Sequence, residues 1–128
     1  MNRVLWILQG LLAVVYLLHG FMMISPPASL LDQMNNEIGS GFRMFIGVAE
    51  VLAAIGLTLP GVTHIMPWFT AFAAAGLMIV MASAIVFHVS RGEIAPAVVC
   101  LVLLGLVTYV AYMRWRVVPL LPRRALAH

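Results

Sequence analysis

The sequence predicts an all-α fold, an integral membrane four-helix bundle, and three observations carry that expectation. Of its 128 residues, 64% are hydrophobic and only 9% are charged, whereas a soluble domain is about one quarter charged. The mean hydropathy is +1.10. The apolar residues also gather into four runs, residues 3–24, 41–59, 67–88 and 94–115, each close to the roughly 20 residues that a spanning helix needs. The breaks between runs carry turn chemistry in Ser25-Pro26-Pro27, Pro60-Gly61 and Arg91-Gly92. A chain of this length has room for a single domain, residues 1–128.

The first run is longer than a signal-peptide core, and no small-x-small cleavage pattern follows it, so it is expected to remain as a helix. It carries Gln9, Tyr16 and His19 within an arc of about 80°, a polar stripe that should face the bundle. Buried Tyr16 needs a partner for its hydroxyl, and Glu50 is a candidate. The connection at residues 25–40 places Leu30, Leu31, Met34 and Ile38 at helical intervals among Asp32, Asn35, Asn36 and Glu37. That is the pattern of a short amphipathic helix lying in the interface, within the first external loop.

The second run contains the residue that most demands an explanation. Glu50 lies at membrane depth, where a charged side chain costs on the order of 2.5–3.5 kcal/mol even on the more forgiving scales. It must face the protein interior, find a partner or take up a proton. Arg43, seven positions earlier, falls within about 20° of the same helix face and roughly 10 Å away along the axis. Gly47 and Ala54 share that stripe and allow a helix or a ligand to approach. Arg43 and Glu50 thus read either as an internal pair that locks packing or as the polar floor of a pocket. Direct pairing requires Arg43 to fold back, because helical side chains lean toward the N-terminus.

The third run brings Met81, Ala84 and His88 to one side, and the fourth carries Thr108, Tyr109 and Tyr112 toward its end. Met81 suits either adaptable packing or a soft pocket lining, and Cys100 reads as inert core. As the single cysteine, Cys100 excludes an internal disulfide and a CxxC shuttle.

Charge placement predicts orientation. Arg3, Arg114, Arg116, Arg123 and Arg124 border the termini, whereas Arg43 and Arg91 lie at the other face. Five against two places both termini in the cytoplasm by the positive-inside rule, and a multi-pass protein of the cell membrane is expected. The C-terminal arginines then read as a topology signal. Trp6, Trp68 and Trp115 fall at the cytoplasmic ends of their helices as half of an aromatic belt. His19, Arg43, Glu50 and His88 all fall in the outer half, and that convergence in depth marks a candidate pocket. His19, Glu50 and His88 are the candidate catalytic residues; Arg43, Gly47, Tyr16, Gln9 and Met81 are the candidate ligand-binding residues. The two histidines and Glu50 come from three helices without a local spacing motif, so no metal site is assigned. No tightly bound cofactor motif is present, and the charge pattern gives no nucleic-acid footprint.

Phe42-Arg43-Met44-Phe45-Ile46-Gly47-Val48-Ala49-Glu50, then Gly56-Leu57-Thr58-Leu59-Pro60, then the Ala75–Ala84 segment leading to His88, resembles the DoxX and DoxX-like membrane proteins over the second to fourth spans. The resemblance implies a four-helix integral membrane fold, often oligomeric. It also implies a link to redox or sulfur stress and to membrane complexes, the family's namesakes being associated with a thiosulfate:quinone oxidoreductase. Arg43, Gly47, Glu50, Pro60 and His88 carry over; cysteine chemistry does not.

Four functions remain open on these residues. The first is a pocket for a small lipophilic molecule, quinone- or isoprenoid-like, with the bilayer around it and a homodimer or a partner redox subunit beside it. The second is a membrane acid/base enzyme of isomerase or hydrolase type using Glu50 and a histidine. The third is a proton-coupled exporter of small molecules. The fourth is a structural or chaperone subunit whose polar residues specify packing.

Overall fold

The computed structural model describes residues 1–126 and is all-α, with no strand among them. Four helices are long and apolar enough to cross a membrane: α1 (Asn2–Ile24), α3 (Ser40–Thr63), α4 (Phe69–Ser90) and α5 (Ile94–Tyr112), the last continued to Val117 by a π-helical turn. A shorter helix, α2 (Ala28–Ile38), joins α1 to α3. No more than 33% of any span is buried, and Ile7, Leu18, Phe45, Ile79, Val86 and Leu101 are among the bare apolar side chains. Helices that are apolar all round are stable only in a low-dielectric surrounding, and lipid is the solvent these surfaces suit.

Local chemistry sets the boundaries. Pro26 and Pro27 end α1 and open α2, because proline disfavours helical geometry in the residue before it. Gly39 takes φ +81° and Gly92 φ +73°, left-handed values that let α2 turn directly into α3 and α4 into α5. Pro96 sits in the first turn of α5, where its missing N–H is no loss.

The helices pair as α1 with α3 and α4 with α5, and α3 packs on α4 to join the pairs, while α1 and α5 touch only sparsely. The α1–α3 crossing is the tightest. A Cβ added to Gly20 would stand 2.8 Å from the Gly47 carbonyl oxygen, and one added to Gly47 would stand 2.8 Å from that of Gly20. Only backbone meeting backbone permits this approach. At mid-height, Leu12, Ala54, Leu57, Ala74, Leu77, Val107 and Val110 form a buried apolar layer across all four helices. It divides the interior into two ends: one carrying α2 and the α4–α5 turn, the other carrying the N-terminus and the π-helical turn.

Candidate ligand-binding site

The Gly20–Gly47 crossing positions the site. His19 precedes Gly20 and Glu50 lies one turn beyond Gly47, so the close approach brings imidazole and carboxylate together. His19 Nδ1 lies 2.6 Å from Glu50 Oε2, with Glu50 only 1% exposed and the His19 side chain 42% exposed. That separation belongs to a charge-assisted hydrogen bond. Glu50 is the only acidic side chain buried among the described residues, and its partner reaches from the bundle interior to the surface.

The pair forms part of the wall of a cavity of about 370 Å³ that also involves Tyr16 from α1, Met81 and His88 from α4, and Cys100 from α5. Tyr16 is 1% exposed, and its hydroxyl has no hydrogen-bond partner. A buried hydroxyl without a partner costs about 1–3 kcal/mol, so a residue of this wall holds an unused donor. Candidates from all of the first three spans therefore meet here: Tyr16, His19, Glu50, Met81 and His88. Cys100, read from sequence as inert core, joins them at the cavity wall.

The other candidates lie elsewhere. Arg43 and Glu50 do occupy one buried face of α3 together with Gly47 and Ala54, but their side chains part. Arg43 donates to the carbonyl of Met23, to that of Ile24 at 3.3 Å and to Asn35 Oδ1 at 3.0 Å. It therefore caps the C-terminus of α1, where orphan carbonyls and the helix dipole favour a cation. Gly47 is filled by the Gly20 backbone, not by open space. Gln9 lies beyond the apolar layer, donating from Nε2 to the Leu57 carbonyl at 2.5 Å and accepting from Arg114 Nε at 2.6 Å.

Arg114 was invisible to sequence reasoning as an interior residue. The π-helical turn, closed by Val118 N–H donating to the Met113 carbonyl, rotates it inward and leaves Trp115 and Arg116 exposed. Buried there, it also donates to Asn2 Oδ1 at 2.8 Å and stacks 5.3 Å over the Trp6 ring. The signal that could have found it was Gln9, an amide in an apolar run whose oxygen needs a donor.

At the opposite end, His88 Nδ1 lies 2.7 Å from Glu93 Oε2, Arg91 bonds Glu93 Oε1 at 3.2 Å, and Arg91 reaches Glu37 of α2 at 3.0 Å. The hydrogen bond from His88, aided by Arg91, holds the Glu93 carboxyl below the usual carboxylate range. His88 thus links the cavity wall to an ion-pair chain that ties α2 to the α4–α5 turn.

Fold and site together define a multi-pass, all-α membrane protein with a carboxylate–imidazole pair beside an interior cavity. The chain belongs to the DoxX-like family, whose match covers residues 7–111, from the first turns of α1 almost to the end of α5. No curated protein and no solved structure matches it significantly.

Proposed function

We propose that the chain binds, and acts on, a small lipophilic molecule of quinone or isoprenoid type in the cavity beside Glu50. It does so as a protein of the cell membrane with both termini in the cytoplasm. One observation carries this reading: a deeply buried acid, hydrogen-bonded to His19, lines a cavity together with Tyr16, whose buried hydroxyl has no partner. Intramembrane ionisable residues of this kind mark substrate or proton pathways by default. Tyr16 would donate to a carbonyl or hydroxyl oxygen of the ligand. Glu50 would accept or pass a proton, with His19 as the relay toward the surface. Electrons for a reduction would come from a partner redox subunit.

A second reading is favoured by the 2.6 Å contact itself. A carboxylate and an imidazole converging on one cavity meet the geometric requirement for general acid–base catalysis, which suits an isomerisation or hydrolysis of a lipophilic substrate. The exporter reading finds less support, because the apolar layer of Leu12, Leu57, Leu77 and Val107 separates Glu50 from the other end of the bundle.

Thermal-shift titration of the purified protein with benzoquinone analogues tests the proposal. A saturable stabilisation in wild type that is lost in Glu50→Gln is expected. Equal shifts in both proteins, or none in either, would overturn it.

A further inference from the structure

Resting on that reading of the cavity, the geometry points to how its ligand arrives and to what kind of molecule it is. We propose that the site takes the polar head of a long-tailed membrane lipophile sideways from the bilayer, through the seam between α1 and α5. The head would be a single ring bearing an oxygen acceptor, and the tail would remain in lipid.

Five observations support the seam. The two helices close the bundle but pack lightly on one another. The cavity is lined from both of its sides, by Val15, Tyr16 and His19 on α1 and by Pro96, Val99 and Cys100 on α5. Val15 is 44% and Val99 59% exposed, so the lips are apolar and face outward. Toward the N-terminal end the same seam is latched, because Arg114 binds Gln9 and Asn2 across it. The α2 end is bridged as well, by Arg91 to Glu37 and by Arg43 to Asn35 and the last carbonyls of α1. Between these ties the lips are Val15 and Val99, with His19 reaching the surface beside them from the cavity wall.

Size and polarity restrict the ligand. About 370 Å³ is near the lower end of small-molecule sites, enough for a ring but not for a ring with a long chain. The Tyr16 hydroxyl is a buried donor without a partner, which calls for an acceptor oxygen on the head. A head of this kind with an apolar tail is already dissolved where the seam opens.

The test compares 2,3-dimethoxy-5-methyl-1,4-benzoquinone with and without a decyl chain, titrated against wild type, Val99→Trp, Val15→Trp and Tyr16→Phe in one detergent. Each variant is judged against wild type with the same probe, so partitioning into micelles cancels. Both tryptophans replace exposed residues at the lips, and the two variants check one another for folding. The tailed probe should bind each tryptophan variant at least about tenfold more weakly, because its chain loses its path. The tail-less probe should lose at least about threefold less affinity than the tailed one in each of these variants, since both residues also line the cavity and only the tail needs the seam. Tyr16→Phe should weaken both probes by about three- to tenfold, the worth of one hydrogen bond. Unchanged binding of the tailed probe to both tryptophan variants, or an equal loss for both probes, would overturn the lateral route while leaving the cavity assignment standing. Failure of wild type to bind either probe would overturn both.

Discussion

The two ends of the bundle solve the same problem in different ways. Each buries strongly polar side chains, and each joins helices far apart in sequence through a 2.6 Å bond, His19 to Glu50 at one end and Gln9 to Arg114 at the other. The Gln9–Arg114 cluster spends its bonds on its own scaffold: the Leu57 carbonyl, Asn2, the Val118 carbonyl and the Trp6 ring. The His19–Glu50 pair spends one bond and stands with Tyr16 at a cavity. Burial of charge therefore does not by itself indicate function. Each end keeps one buried donor without a partner, the Tyr16 hydroxyl at one and Arg114 Nη2 at the other; what separates them is that Tyr16, His19 and Glu50 line a cavity, whereas Gln9 and Arg114 are packed among helices.

The largest expected effect is on the packing side. Arg114→Ala should cost about 3 kcal/mol, because it strips the buried Gln9 oxygen and the exposed Asn2 oxygen of their donor and unlatches α1 from α5. Denaturant unfolding in mixed micelles reads that loss, and a change within error of zero would remove the latch from the account. Gly47→Ala comes next, at about 1–3 kcal/mol, since its Cβ meets the Gly20 carbonyl and the helices must separate. Because that crossing holds His19 against Glu50, the variant should also weaken ligand binding. Full affinity in a destabilised Gly47→Ala protein would show that the crossing does not set the site.

The smallest effect concerns pH. The carboxyl of Glu93 is held below its ordinary range by His88 and Arg91. A depressed carboxylate pKa contributes stability that is present above the unfolded value and is lost as pH falls through the folded one. Wild type should therefore lose a small increment of thermal stability on acidification below the usual carboxylate range, and Glu93→Gln should lack that increment. Parallel pH profiles in the two proteins would contradict it.

The spans were legible because apolar runs are local signals, and Ser25-Pro26-Pro27 and Arg91-Gly92 do lie at breaks; Pro60-Gly61 does not, because α3 continues through both residues to Thr63. Glu50 was legible for a related reason: an acid in such a run has few ways to be satisfied. The same logic pointed to His19, Tyr16, Met81 and His88, which the structure brings to one cavity wall, although depth alone did not say which of them would touch. Arg43 shows the limit. It shares the stripe of Glu50, as periodicity required, but its destination is the end of α1, which no spacing within α3 encodes. Arg114 was hidden because a π-helical turn, not an α-helical one, sets its direction. Cys100 was hidden because cavity walls are made by gaps between helices, and the loose α1–α5 seam leaves no trace in either helix alone.

The comparison between the ends is decided most directly by repeating the benzoquinone titration on wild type, Glu50→Gln and Gln9→Leu. Gln9→Leu should melt lower than wild type yet keep the full ligand-induced shift and affinity, whereas Glu50→Gln should lose both. A ligand response abolished by Gln9→Leu and retained by Glu50→Gln would place the site at the wrong end of the molecule.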